Sequence, residues 1–230
     1  MDTSSWDGSL SKTEFDLAVR SFAEKWKRNN TDYPPWLWVS CPKQPWLPSH
    51  DVEGYSSLEK IRLYNHGSSE EDSDRVTQSG EEETTCGNED AIDSAMLVQS
   101  SHSEVYYYDL HVVYSASYRV PVLYFRVYGS DGRPLALDEI EKVLPSCSAK
   151  ILLESKWTFI TQEEHPYLHR PWYKLHPCGT SEWMKLMLVG DASVANLESV
   201  IELYLVSWLS FVGQVVGLRV PFKMLDDKAD

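Results

Sequence analysis

Apolar residues recur every three or four positions in two stretches of the chain, a spacing typical of amphipathic helices. Ser11 and Glu14 match a capping box that predicts the start of the first helix, and we expect that helix to end near residue 28. Its apolar stripe consists of Phe15, Val19, Phe22 and Trp26. The second helix is predicted to open near Asn196, with the stripe Leu197, Val200, Ile201, Tyr204, Trp208, Phe211, Val212 and Val215. We expect both helices to pack into the core, and we expect the second to be too short, and too interrupted by Ser and Gly, to cross a membrane.

Strand-like patterns occupy four segments, at residues 36–40, 55–64, 104–114 and 119–128. In the third, Asp109 and His111 fall on one face, opposite the face shared by Tyr106, Tyr108, Leu110, Val112 and Tyr114. This alternation predicts a half-exposed strand. A tight connection joins the third and fourth strands, so we expect an antiparallel hairpin at the centre of a sheet. Pro121 lacks an N–H, so the fourth strand needs a bulge or an unpaired side there.

The remaining pattern predicts two short helices and one long loop. One helix is expected at residues 137–144, ended by Pro145, and the other at 182–188 behind the N-cap residues Thr180 and Ser181. The segment 159–178 contains three prolines, which predict a mostly irregular stretch. Together these elements indicate an α+β fold, an antiparallel sheet backed by helices.

Charge is distributed unevenly along the chain. The 230 residues, which we interpret as a single domain (1–230), carry a net charge of −14, and this disfavours nucleic acid and anionic membranes as partners. Residues 66–103 hold ten acidic residues against one basic residue, Arg75, and few large apolar ones. We predict a disordered acidic insertion there, either a solvated loop or a tail recognised by a basic partner.

The four cysteines lie far apart in the chain and form no C-x-x-C pair: Cys41, Cys86, Cys147 and Cys178. We therefore expect no metal site and no dense disulfide framework. The first ten residues lack the basic and apolar regions of a secretory signal, and no apolar run of about 18 residues occurs. These features predict a cytoplasmic protein with reduced thiols and no stable membrane insertion.

Cys178 is the candidate reactive residue because of its local sequence, His176-Pro177-Cys178-Gly179. Proline keeps the cysteine out of a helix, and the predicted helix start follows directly, so the thiol would lie on a stiff bend. A buried, inert thiol is the competing interpretation. A papain-type hydrolase needs a His after the cysteine, and none follows residue 178. A caspase-like order would use His111 or His165, and a redox enzyme would need a nearer cysteine than Cys147. A thioester carrier needs an accessible thiol, exclusion of bulk water around it and a surface that presents the incoming amine, and it needs no classical His base.

Four motifs in a fixed order carry a resemblance to a known family: 114–126 (YSASYRVPVLYFR), 131–135 (DGRPL), 176–178 (HPC) and 207–213 (SWLSFVG). On these motifs the chain closely resembles the autophagy-related protein ten family, the E2-like enzymes of the autophagy twelve–five conjugation system. The resemblance implies a ubiquitin-conjugating-enzyme-like fold and a thioester on Cys178. The E1-like autophagy protein seven would supply the ubiquitin-like autophagy protein twelve, and a lysine of autophagy protein five would accept it. ATP is used by the E1, so no cofactor is implied.

Two further residues are candidates for the site. The resemblance implies that Tyr118 matches a family tyrosine beside the reactive cysteine, and His176, two residues before Cys178, is placed to bond either the loop or an oxyanion. The asparagine that ubiquitin E2 enzymes carry in a His-Pro-Asn motif is absent here, so the oxyanion donor must differ. Two alternatives stay open: lipid conjugation of a modifier, as in the autophagy protein three type, and a non-catalytic interaction module of the same fold.

Overall fold

The computed structural model describes residues 6–41, 53–63, 105–148, 159–189 and 196–226. Its strands are β1 Leu37–Cys41, β2 Glu53–Arg62, β3 Tyr107–Ser115, β4 Val120–Tyr128, β5 Ile160–Glu164 and β6 Pro171–Leu175. Its helices are α1 Lys12–Asn29, α2 Leu137–Val143, α3 Thr180–Val189, α4 Leu197–Val212 and α5 Lys223–Asp226, and a 3₁₀ turn, Gly213–Val216, follows α4. The predicted α+β architecture is confirmed. The acidic insertion at 66–103 lies outside the described residues.

All neighbouring strands of the six-stranded sheet are antiparallel, in the order β1-β2-β3-β4-β6-β5. The hairpin of β3 and β4 forms its centre, as predicted. Pro121 pairs with Tyr114 in regular register, and β6 pairs with β4 only further along, at Tyr124 and Phe125. The missing N–H is therefore accommodated by an unpaired side of β4 rather than by a bulge.

The prediction of an irregular stretch at 159–178 is wrong, because β5 and β6 form a hairpin within it. The prolines fall at the boundaries of the strands and not inside them. Pro171 is the first residue of β6, Pro166 lies in the connecting turn, and Pro177 follows the end of β6. A proline at a strand end removes no ladder hydrogen bond, so its presence does not exclude a strand.

One face of the sheet packs against α1 and α4 to form the main core. The predicted capping box is present at Ser11 and Glu14, and the stripe from Phe15 to Trp26 is buried. Asn196 caps α4 as predicted, its side chain accepting from the Ser199 N–H at 2.9 Å. Within the described part of the chain, Leu197–Val216 is the helix long enough, at 20 residues, and apolar enough to cross a membrane. The length expectation was therefore wrong, but more than half of this helix is buried inside the protein, as core packing requires.

The opposite face of the sheet is also covered, which corrects the prediction of a half-exposed β3. The β5–β6 loop, residues 165–170, folds over this face, and Tyr167 stacks on Tyr55 with ring centroids 5.8 Å apart. A second apolar cluster forms beneath the loop: Tyr55, Val113, Val122, Tyr124 and Trp172, with Val39, Cys41, Tyr167 and Leu168 around it. His111 is consequently fully buried.

Candidate active site

Cys178 lies in a short bend between β6 and α3, and its side chain is exposed and unpaired with any other cysteine. The preceding residue, Pro177, is buried and anchors the bend, and the Thr180 N–H donates to the Pro177 carbonyl at 3.2 Å. Gly179 has φ +74°, a conformation that favours glycine. The prediction that Cys178 lies outside a helix is confirmed. The helix after it begins at Thr180, two residues earlier than the predicted 182.

His176 holds the backbone of the bend through its ring. Its Nδ1 accepts the backbone N–H of Cys178 at 3.2 Å, and the backbone N–H of His176 donates to the Phe159 carbonyl at 3.0 Å. An accepting Nδ1 carries no proton, so in the neutral ring the proton lies on Nε2. His176 therefore presents an N–H donor at Nε2, and taking a proton on Nδ1 would break the bond that shapes the bend.

Tyr118 lies beside His176, at the tip of the β3–β4 hairpin. The two rings meet edge to face with centroids 5.9 Å apart, and about half of the Tyr118 side chain is exposed. The Arg119 N–H donates to the Ser115 carbonyl at 2.7 Å, which closes the hairpin turn. The structure thus brings the three predicted site residues together: Tyr118 contacts His176, and His176 bonds the backbone of Cys178.

The sequence reasoning missed a segment that supports this site, the N-terminal strap, which we define as residues 6–10. The Leu10 N–H donates to the Arg119 carbonyl at 2.7 Å, and the Tyr204 hydroxyl of α4 donates to the Gly8 carbonyl at 2.9 Å. Gly8 has φ +86°, and a Cβ on it would lie 1.8 Å from the Ser181 carbonyl oxygen in the first turn of α3. The strap therefore joins the hairpin of Tyr118 to the helix that follows Cys178.

A carboxylate in the strap adds an ionic contact to the hairpin. Asp7 lies 3.6 Å from the guanidinium of Arg119. Hydrogen bonds from the side chain and backbone of Ser9 lower the pKa of Asp7, and the charge of Arg119 adds to that effect. The contact is largely exposed, so we expect it to contribute little to stability. The one sequence signal for the strap is the pair Asp7-Gly8, a turn-forming dipeptide.

The two histidines that a caspase-like mechanism would need are not part of this site. His111 and His165 are both fully buried under the β5–β6 loop, with ring nitrogens 3.2 Å apart. The backbone N–H of His165 donates to the Arg170 carbonyl, next to the start of β6. Cys178 lies three residues after the end of β6. The length of β6, about 13 Å, therefore separates them from the thiol.

These two histidines belong to a hydrogen-bond chain that fixes their protons. The Tyr167 N–H donates to His165 Nδ1 at 3.3 Å, so the proton of His165 lies on Nε2 and faces His111 Nδ1. His111 Nε2 in turn donates to the Glu59 carboxylate at 3.2 Å. Burial lowers the pKa of each histidine to about 3, and nearby Arg170 adds to the effect in both.

No group of three or more His, Cys, Asp or Glu side chains suited to a metal ion occurs within the described ranges. Cys147 is exposed and Cys41 is partly buried, and both are free thiols. Cys86 lies outside the part of the chain that the structure describes.

Comparisons with known proteins identify the family of the chain. Residues 14–223 match the family described as "Autophagocytosis associated protein, active-site domain". The chain is 54% identical to the "Ubiquitin-like-conjugating enzyme ATG10" of Arabidopsis thaliana over 96% of both chains. It is 44% identical to the human protein of the same name over 56% of this chain and 57% of that one. A structure described as "Crystal structure of Autophagic E2, Atg10" aligns at 19% identity with a TM-score of 0.43, over 91% of this chain and 99% of that one.

A weaker match connects the chain to a second group of autophagy proteins. It is 32% identical to the "Autophagy-related protein 3" of Lodderomyces elongisporus, over 48% of this chain and 29% of that protein. The match to the Arabidopsis relative spans nearly both full lengths and has the higher identity. The chain therefore belongs to the autophagocytosis-associated, active-site domain family, and it is an E2-like conjugating enzyme of autophagy.

Proposed function

We propose that Cys178 carries a ubiquitin-like modifier as a thioester and passes it to a lysine. The observation that supports this most directly is the exposure of the thiol at a proline-anchored bend, beside His176 and Tyr118, in a chain of this family. The Arabidopsis and human relatives are named for conjugating ubiquitin-like proteins. From the family resemblance, the donor is the E1-like autophagy protein seven, the modifier autophagy protein twelve, and the acceptor autophagy protein five.

The reaction has two acyl transfers. The Cys178 thiolate attacks the carbonyl of the modifier's C-terminal glycine on the E1, and the E1 cysteine leaves as a thiolate. The lysine amine of the acceptor then attacks the new thioester, loses a proton, and releases the Cys178 thiol as the isopeptide bond forms. Both steps pass through a tetrahedral oxyanion that needs a hydrogen-bond donor.

We propose two donors in place of the missing asparagine, one on His176 and one on Tyr118. His176 presents Nε2–H once its Nδ1 has accepted the Cys178 N–H, and it therefore suits a donor role better than a base role. The Tyr118 hydroxyl, on the ring that contacts His176, is the second donor. We propose that Tyr118 acts at the transfer step, when the lysine amine approaches the thioester, and that His176 also fixes the bend.

A charging assay tests the proposal. Cys178→Ser, incubated with the E1, the modifier and ATP, is expected to accumulate an ester that resists reducing agents, whereas the unaltered protein forms a thiol-sensitive adduct. Cys147→Ser is the matched control, because Cys147 is also exposed and free; it should charge like the unaltered protein. Thiol-sensitive charging of Cys178→Ser would refute the assignment.

Lipid conjugation is the second candidate, favoured by the match to the autophagy-related protein 3 of Lodderomyces elongisporus. The match covers less than a third of that protein, so the lysine acceptor is the stronger proposal. Charging with each modifier in turn separates the two, because the two reactions use different modifiers.

A further inference from the structure

Helix α3, which starts just after Cys178, is apolar on two sides. Met184 and Leu188 are buried and attach the helix to the core. Leu186 is 78% exposed, and Met187 is also exposed. A surface helix ordinarily has charged and polar residues on the face away from the core. The apolar residues on the outer face of α3 therefore contribute little to folding, and their presence needs another explanation.

A neighbouring helix extends the same surface. The ring of Phe211, in α4, packs edge to face on Trp183 with centroids 4.8 Å apart, and Phe211 is 57% exposed. Positions 183, 186 and 187 are three and four residues apart, so their side chains adjoin on one face of α3. We name this continuous patch the α3 apolar surface: Trp183, Leu186, Met187 and Phe211.

The patch lies next to the candidate reactive thiol. Cys178 precedes the first residue of α3 by two positions. At a rise of 1.5 Å per residue, Leu186 and Met187 are about 9–11 Å along the helix from its start. A folded protein joined to Cys178 by its C-terminal tail thus remains within reach of this surface.

The size of the patch favours a tethered partner over a free one. Four side chains form it, whereas a stable interface takes about 20–30 residues on each side. A covalent link raises the effective concentration of the attached partner to about the millimolar range, at which a small apolar contact suffices. The net charge of −14 opposes both a second copy of this chain and an anionic membrane as the occupant.

We infer that the α3 apolar surface binds the ubiquitin-like modifier while the modifier is held on Cys178. This inference rests on the proposed function. The contact restricts the motion of the attached modifier and leaves the thioester open to the acceptor lysine from the side of Tyr118.

The experiment uses the full chain with the modifier trapped as an ester on Cys178→Ser, and it measures hydrogen–deuterium exchange in α3. Attachment is expected to slow exchange of the α3 amides about threefold, which corresponds to occupation of the surface about two-thirds of the time. Leu186→Glu in the same conjugate should abolish the protection. Leu17→Glu is the matched control, because Leu17 is a 52% exposed leucine on the outer face of another helix, α1; it should leave the protection unchanged.

The possible results separate this inference from the proposed function. If neither the unaltered protein nor Cys178→Ser takes up the modifier, the proposed function fails. If the ester forms and α3 exchanges at the same rate as in the free protein, the proposed function stands and the docking inference is refuted. Self-association of the free protein that Leu186→Glu abolishes would identify a second copy as the occupant. Binding of the free protein to phosphatidylcholine–phosphatidylserine vesicles that depends on Leu186 would identify a membrane, and either result overturns the inference.

Discussion

Acid is expected to destabilise the fold through the buried histidine pair. His111 and His165 are neutral in the folded protein, and every ring nitrogen of the pair already has a partner. A further proton on either ring must break one of these bonds and place a charge beneath the β5–β6 loop. In the unfolded chain both rings are in water and take up a proton near their ordinary pKa of about 6.5.

The sign and magnitude follow from the lowered pKa values. The folded pKa of each histidine, about 3, lies below the unfolded value, so the unfolded state binds more protons as the pH falls. Stability from this source is complete above about pH 6.5 and is lost between there and pH 3. Each group contributes about 1.4 kcal/mol per pH unit in that range, and at pH 5 the pair has lost about 4 kcal/mol. The total free energy of unfolding of a native protein is about 5–15 kcal/mol, so this loss is a large share of it.

Urea unfolding at pH 7, 6 and 5 measures this loss directly. The double variant His111→Phe, His165→Phe keeps aromatic rings under the loop and has no titrating group there, so its free energy of unfolding should fall far less steeply with acid. His169→Gln changes an exposed histidine on the same loop and keeps the buried pair, so most of the slope should remain. An equal slope in the double variant and the unaltered protein would show that the buried pair does not govern acid stability.

Three further predictions concern the site and its supports. Tyr118→Phe should charge normally and transfer the modifier about a hundredfold more slowly; equal loss of both steps in single-turnover assays would indicate a folding role instead. Gly8→Ala should lower the free energy of unfolding by about 2–4 kcal/mol, because of strain and the overlap with Ser181. Gly132→Ala, at φ +78° with open space around it, should lose only about 1–2 kcal/mol, and an equal loss in both would exclude the overlap. Ser11→Ala removes the N-cap of α1 and should cost about 1 kcal/mol in urea unfolding, unless the capping box is dispensable.

The elements that were predictable from sequence are those with a local cause. The Ser11 capping box and the Asn196 N-cap act within three residues, and the hydrophobic spacing of α1 and α4 reports the face that each helix buries. The hairpin β5–β6 was not predictable, because its prolines gave the local signature of a loop. Only the pairing of β6 with β4 and β5 shows that these prolines lie at the ends of strands.

The prediction that one face of β3 is exposed to solvent was wrong for a related reason. His111 alternates with apolar residues in the same way as a polar residue that faces solvent. The loop that covers it begins at His165, which lies 54 residues later in the chain.

For the candidate site, the sequence and the family resemblance predict Cys178, His176 and Tyr118, and the structure places Tyr118 against His176 and His176 against the backbone of Cys178. The hydrogen bond from the Cys178 N–H to His176 is local and follows from the bend before it. The contact between Tyr118 and His176 depends on the antiparallel register of β4 and β6, which no local pattern specifies. The role of Gly8 was beyond sequence reasoning, since its neighbour Ser181 is distant in the chain.

The N-terminal strap also determines how the molecule responds to mechanical load. A force applied at the N-terminal end would act first on the strap. Two hydrogen bonds, the Asp7–Arg119 ion pair and the contact of Trp6 with the Tyr204 ring hold the strap to Arg119 and Tyr204, while the sheet distributes load over many backbone hydrogen bonds. We expect the strap to peel away before any strand separates. An unfoldase or optical tweezers pulling from that end should therefore detach the strap from the hairpin of Tyr118 while most of the secondary structure is still intact.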